Sequence, residues 1–278
     1  ETLPSEDEQY DVYRAIVQTV APRPVVLRTF DIGGDKFASS FQLPAEMNPA
    51  LGLRAVRLAL RRPEVFLVQL RAMVRASAHG DVRIMVPMVA SVDEIRAVRD
   101  LLDHALREVD ERGQPRAPKI ALGMMIEVPS AAVMADVFAR EAEFFSLGTN
   151  DLVQYSLAVD RTSRPLAELA SAVHPSILRL VRSVARAAKD ATIPLAVCGA
   201  VASDLLAVPL LVGLGLRELS MEAAAIPEIK AALARVTVAQ CEKIAVRALE
   251  AHTVGEIDEI LVDELGELFQ DLLSGTGD

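Results

Sequence analysis

Tryptophan is absent from this 278-residue sequence, and all aromatic residues together supply only 4% of it. Hydrophobic residues still make up 51%, so the core must be built from Ala, Val, Leu and Ile. The only two cysteines, Cys198 and Cys241, rule out a disulfide framework. The 14 glycines and 15 prolines are too scattered to form a low-complexity linker. Basic residues are outnumbered, 29 against 39 acidic, and the net charge of −10 speaks against nonspecific nucleic-acid binding. No uninterrupted apolar run of ~20 residues occurs, so no membrane insertion is expected. No opening signal-peptide pattern is visible, and a cytoplasmic protein is the expectation.

Strand and helix patterns alternate along the chain. Residues 6–20 read as a helix whose apolar side includes Tyr10, Val12, Ile16, Val17 and Val20. Apolar strands are expected at Val25–Phe30, Leu53–Val56, Val82–Met88, Ile120–Glu127, Phe144–Leu147, Pro194–Cys198 and Leu216–Met221. Pro63 opens a helix to about Ala78. Ser91-Val92-Asp93-Glu94 has capping-box spacing at the start of a helix over 92–108. Further helices are expected near 130–139, 151–157, 175–189, 203–213, 227–234, 237–250 and 255–273. Little period-2 polarity in the strands indicates a buried parallel sheet covered by helices. The length is near the ~250 residues of a (β/α)8 TIM-type barrel. Seven strands are one short of eight. Glu1-Thr2-Leu3-Pro4 lacks a Met and runs at once into a helix, so the missing first strand is expected upstream of Glu1.

The chemistry should sit at the C-terminal strand ends, where barrel active sites lie. Ser146-Leu147-Gly148-Thr149-Asn150-Asp151-Leu152 ends a buried strand on Gly and then presents an amide beside a carboxylate. Asp151 can hold a hard cation and Asn150 can donate to an anion. Both residues also suit a helix N-cap. The other strand ends carry Arg28 with Asp31 and Lys36, Arg54 and Arg57, Glu127, Arg161 and Cys198. Several cations converging with two acids suggest an anionic substrate bridged by a divalent cation. Two carboxylates alone make a sparse oxygen site of the kind Mg²⁺ accepts, with water and substrate completing its shell. Arg supplies planar, bidentate grips on phosphate and carboxylate. Each Arg can equally be a solvated surface group. Cys198 can exchange a proton at its strand end or simply pack as a small hydrophobe. Cys241, on a helix away from any strand end, reads as packing. His174-Pro175 reads as a cap or packing pair rather than a base.

Several segments together resemble one known family. They are Arg28-Thr29-Phe30-Asp31-Ile32-Gly33-Gly34-Asp35-Lys36, Asn48-Pro49-Ala50-Leu51-Gly52-Leu53-Arg54-Ala55-Val56-Arg57, Arg83-Ile84-Met85-Val86-Pro87-Met88, Gly123-Met124-Met125-Ile126-Glu127-Val128-Pro129-Ser130-Ala131-Ala132 and Phe144–Arg161. They resemble the phosphoenolpyruvate-binding domain of the enzyme I family of the bacterial sugar phosphotransferase system. The resemblance implies one phosphoenolpyruvate-binding barrel domain over residues 1–278. It implies that Arg28 and Arg161 grip the phosphate and carboxylate, with Arg54 and Lys36 in support. Glu127 and Asp151 would bind Mg²⁺, Asn150 and Asp151 would contact substrate, and Cys198 would protonate the enolate carbon as pyruvate forms. The implied partners are phosphoenolpyruvate, an N-terminal phosphohistidine domain of the same protein, an HPr-type carrier and a second copy in a homodimer.

The sequence departs from the family pattern in three ways: the phosphate-binding Arg after the family's first strand is expected upstream of Glu1, nothing matches the domain that carries the phosphorylatable His, and one position differs. An acidic residue commonly follows the Cys-Gly pair, and here the run is Cys198-Gly199-Ala200. Two other functions use the same framework. One is a Mg²⁺-dependent lyase or aldolase of pyruvate-like acids, which would need Glu127 and Asp151 but not the Arg set or Cys198. The other is a module that senses phosphoenolpyruvate without turning it over.

Overall fold

Ser5 opens the first helix, α1 (Glu6–Val20), through a reciprocal capping box with Glu8. The computed structural model describes residues 3–32, 46–160 and 163–274. The chain divides into two compact units: Glu1–Met125 with Glu141–Phe144, and Ile126–Arg140 with Phe145–Asp278.

In the first unit β1 (Val25–Arg28) is followed by the short α2 (Ala55–Arg61), α3 (Pro63–Ala76), β2 (Val82–Val86), α4 (Val92–Glu111) and β3 (Ala121–Ile126). β1 pairs parallel to β2, with Arg28 opposite Met85, and β2 pairs parallel to β3. Buried Ile95, Val98, Leu102, Ala105 and Val109 recur at helical spacing along α4 and form its core-facing stripe. The Ser91–Glu94 capping box forms as its spacing predicts. Glu94 also accepts a hydrogen bond from Ala90 N–H at 2.7 Å, closing the turn after β2.

The second unit continues with α5 (Pro129–Val133), α6 (Ala135–Phe138), β4 (Phe145–Gly148), α7 (Thr149–Leu157), α8 (Pro175–Ala191), β5 (Leu195–Cys198), α9 (Ala207–Gly213) and β6 (Glu218–Leu219). It ends with α10 (Ile226–Leu233), α11 (Val238–Glu250), α12 (Val254–Leu265) and α13 (Gln270–Ser274). β4 pairs parallel to β5, and β5 to β6. α8 buries Ile177, Leu178, Val181, Val184 and Ala188 along one face. α9 packs so closely on α11 that a Cβ at Gly213 would run into the Cys241 carbonyl.

This is an α/β fold of parallel strands alternating with helices, as the pattern predicts. The described residues contain six strands, not seven. The difference is Leu53–Val56. Its apolar residues suggest a strand, but α2 begins at Ala55, and Ala55, Val56, Leu58 and Ala59 are buried at helical spacing. The helix expected near 130–139 breaks at Met134 into α5 and α6. The last expected helix divides into α12 and α13. Among the described residues no helix is long and apolar enough to cross a membrane.

α1 is held onto α3 and α4 by charge as well as by packing. Glu6 accepts from Arg71 at 2.6 Å, from Arg75 at 2.8 Å and from Arg112 at 3.1 Å. Arg71 also donates to Glu108 at 2.9 Å, and the Arg75 guanidinium lies 4.2 Å from the Tyr10 ring centroid. Burial raises the Glu6 carboxyl pKa, but the three guanidiniums outweigh it and hold it below its ordinary 4.5. A carboxyl with a depressed folded pKa contributes stability above its unfolded pKa and loses it as pH falls through the folded one. Glu6→Gln should therefore lower stability at pH 7 by on the order of 1–3 kcal/mol. Thermal unfolding followed from pH 7 to pH 3 should show the gap between the two proteins narrowing below about pH 4.5. A gap constant across that range would contradict the assignment.

Candidate functional site

In the first unit the anion-binding candidates gather where β1 ends. Arg28 is the last residue of β1, and its side chain is half exposed. Asp31, three residues on, is enclosed and accepts a two-pronged contact from Arg54, Nε to Oδ1 at 3.0 Å and Nη2 to Oδ2 at 2.7 Å. The Arg28 guanidinium lies 3.9 Å from the same carboxylate. Asp31 thus gathers two cations at one strand end and fixes their orientation. Arg54 is itself held from behind. The next residue, Ala55, is fully buried with φ +48° and donates its N–H to Ile32 O at 3.1 Å. A left-handed alanine costs about 1–2 kcal/mol, which the surrounding packing must offset. Arg57, from the same sequence motif, is committed elsewhere. It donates to the carbonyls of Leu51 and Gly52 and pins the turn before α2. Lys36 lies outside the described residues.

In the second unit three strand ends carry the remaining candidates. Glu127 directly follows β3 and is 1% exposed. β4 runs into α7 with no intervening loop. Gly148 is the cap residue, so Asn150 and Asp151 occupy the first turn of the helix and neither is its N-cap. Asp151 is 6% exposed, and a carboxylate there is favoured by the helix dipole. Cys198 ends β5 opposite Gly148. Its thiol donates to Leu147 O at 3.2 Å, and the Ser146 hydroxyl lies 3.5 Å from the sulfur. Arg161 lies outside the described residues.

The ends of β4 and β5 are stitched together by side chains. Thr149 Oγ1 donates to Cys198 O at 2.9 Å, and Asn150 Oδ1 accepts from Ala200 N–H at 3.2 Å. Between those two bonds lies Gly199 with φ +104°. A Cβ there would run into Thr149 Oγ1 and lie 2.9 Å from Asn150 Oδ1. Only glycine lets both side chains reach across. The absence of an acid at Ala200 is compatible with this stitch, because the bond uses only the backbone of that residue.

Glu127 and Asp151 are buried carboxylates at the ends of consecutive strands. Among the described residues no group of three or more His, Cys, Asp or Glu could hold a metal ion. That donor set does not suit a closed zinc or calcium cage. It suits Mg²⁺, which takes one or two protein carboxylates and fills its shell with water and substrate oxygens. Cys241 is buried on α11, where burial pushes its thiol pKa up, in keeping with a packing role. His174 is the cap of α8, its ring accepting from Ser176 N–H at 3.2 Å.

The sequence shows Asp31 near Arg28, and Ser146, Thr149 and Gly199 within their runs, but not the bonds they take part in. A charged residue just beyond a predicted strand was the available signal for Asp31, and nothing local signals the cross-strand partners of the other three.

Two comparisons place these residues beside known proteins. The family model described as "PEP-utilising enzyme, PEP-binding domain" matches residues 1–238. Three similar proteins are phosphoenolpyruvate-protein phosphotransferases. The one from Listeria monocytogenes is 44% identical over 261 residues, 94% of this chain and 46% of that protein. The one from Lactococcus lactis is 45% identical over 258 residues, 92% of this chain and 45% of that protein. The one from Bacillus subtilis is 42% identical over 255 residues, 92% and 45% respectively. The chain spans about half the length of these relatives.

Gly199→Ala tests the stitch. The added methyl meets Thr149 and the backbone is strained, so a loss on the order of 2–4 kcal/mol is expected. Thermal unfolding should show it as a drop of about 5–15 °C. An unchanged midpoint would mean that the two strand ends are not fastened here.

Proposed function

The chain belongs to the PEP-utilising enzymes, as their PEP-binding domain, and we propose on that basis that it is the phosphoenolpyruvate-binding part of a phosphoenolpyruvate–protein phosphotransferase. The observation that carries this reading is 42–45% identity to three such enzymes across more than nine-tenths of the chain. Two buried carboxylates and a thiol at the strand ends of the second unit support it. A lyase or aldolase reading finds no support among these relatives.

In the proposed roles, Arg28 and Arg161 grip the phosphate and carboxylate of the substrate, with Arg54 and Lys36 in support. Glu127 and Asp151 would hold Mg²⁺, which would supply positive charge to the phosphoryl group and the enolate. Asn150 and the Asp151 backbone contact the substrate. Transfer through a loose transition state demands positioned cations more than covalent help. The phosphoryl group leaves for a histidine on another domain of the parent protein and then passes to an HPr-type carrier. The enolate left behind takes the Cys198 thiol proton on carbon, giving pyruvate and a thiolate. The proposed architecture is a (β/α)8-type barrel to which the six described strands contribute, acting as a homodimer in the cytoplasm.

Calorimetry tests the binding half of this proposal. Phosphoenolpyruvate should bind tightly only with Mg²⁺, and Glu127→Ala should abolish the joint binding. Equal affinity with and without the metal would reject the assignment. Protection against heat by oxaloacetate but not phosphoenolpyruvate would point to the lyase.

Kinetics test the proton donor. In a parent protein carrying the phosphorylatable histidine, Cys198→Ser should leave phosphoenolpyruvate binding intact, because protonation follows phosphoryl transfer. Pyruvate release should fall by about 10²–10⁴, the usual scale of general acid catalysis. Cys241→Ser should match the unaltered enzyme. Undiminished pyruvate release from Cys198→Ser would leave Cys198 a packing residue.

A further inference from the structure

The segment that carries Arg28 and Asp31 leaves the sheet at Thr29. Thr29 N–H makes a bond to β2, at 2.9 Å to Met85 O. The next N–H, on Phe30, meets a side chain instead. It donates to Gln69 Oε1 at 3.0 Å. Gln69 sits on α3 and is 7% exposed, so the bond is shielded from water. Its orientation is fixed by what it faces. Phe30 N–H can only donate, so the amide oxygen must face it and Nε2 must face away. Nε2 donates to the Tyr13 hydroxyl on α1 at 3.0 Å. The Tyr13 hydroxyl in turn lies 3.5 Å from Gln9 Oε1. Burial raises the Tyr13 pKa and keeps it a neutral phenol.

A second contact from α3 meets the same place. Phe66, three residues before Gln69 and on the same helix face, packs edge-on against Phe30, with ring centroids 5.7 Å apart. Immediately after Phe30 the Asp31 carboxylate takes the bidentate grip of Arg54. Gln69 thus holds a backbone N–H in the segment between Arg28 and Asp31.

We propose that Gln69 is a positioning residue, whose amide accepts the N–H just beyond β1 and sets the backbone from Arg28 to Asp31 so that Arg28 and Arg54 meet the substrate anion. This rests on the functional reading above for the identity of the anion. The juxtaposition itself, Gln69 between Phe30 N–H and Tyr13 hydroxyl, does not. Through Tyr13 the same amide ties α1 to this strand end.

The test uses the 278-residue chain, two substitutions and two readouts. Gln69→Leu removes the acceptor in nearly the same volume. Gln69→Glu keeps an acceptor for Phe30, and Tyr13 can then donate to the other oxygen. Hydrogen–deuterium exchange of the segment from β1 to Ile32 reports the backbone directly and needs no ligand. It should speed up by a factor of about 10 in Gln69→Leu and return close to the unaltered rate in Gln69→Glu. Affinity for phosphoenolpyruvate with Mg²⁺ should weaken by a similar factor in Gln69→Leu, well below its unfolding temperature. Should Gln69→Leu not fold, Tyr13→Phe frees the amide while keeping the acceptor, and a smaller rise in the same exchange is expected. A lower unfolding temperature with unchanged segment exchange would overturn the proposal and leave Gln69 as packing alone. If the unaltered chain does not bind phosphoenolpyruvate, the functional reading fails, and the exchange comparison still decides the role of Gln69.

Discussion

A parallel strand runs out of hydrogen-bond partners at its C-terminal end, and the chain must supply others. The peptide groups beyond the last ladder bond remain polar, and where they are shielded from water they cannot be left bare. In this protein side chains take over. Gln69 accepts from Phe30 past β1. Glu94 accepts from Ala90 and Ser91 past β2. Thr149 donates to Cys198 O, and Asn150 accepts from Ala200 past β5. Each such replacement brings a polar side chain to the C-terminal end of a strand. The backbone requirement thus puts polar groups where the candidate site residues also lie.

The electrostatics follow from that arrangement. Asp31 is not a ligand candidate by its own charge, since an anion would be repelled by it. Its use lies in holding Arg54 in one orientation and bringing Arg28 to within 3.9 Å. A guanidinium fixed this way loses less freedom when a substrate arrives. In the second unit Glu127 and Asp151 are buried acids at strand ends. Their donor set suits a small hard cation that brings water and substrate oxygens with it.

Much of this was legible in the sequence because it is local. The capping box at Ser91 is read within four residues, and the helices α4 and α8 follow from their apolar spacing. Glu127, Asp151 and Cys198 lie at strand ends, as the apolar patterns before them predict. His174, read as a cap or packing residue from the proline after it, is a cap. What was not legible joins distant positions. Gln69 lies 39 residues from Phe30, Arg54 lies 23 from Asp31, and Asn150 lies 50 from Ala200. No periodicity records such distances. Leu53–Val56 was misread for a different reason. Four residues are too few to separate a buried strand from the first turn of a buried helix, and only the continuation through Leu58 and Ala59 decides it.

The fastening of β4 to β5 has an evolutionary consequence. Thr149 and Asn150 are neighbours on one helix, and they grip the backbone on both sides of Gly199. The two strand ends have therefore lost the freedom to drift apart independently. A change retained for its benefit to one must be acceptable to the other, and an insertion in either would part them both. Diversification of such a protein is channelled away from this seam and toward surfaces that share no bond with it.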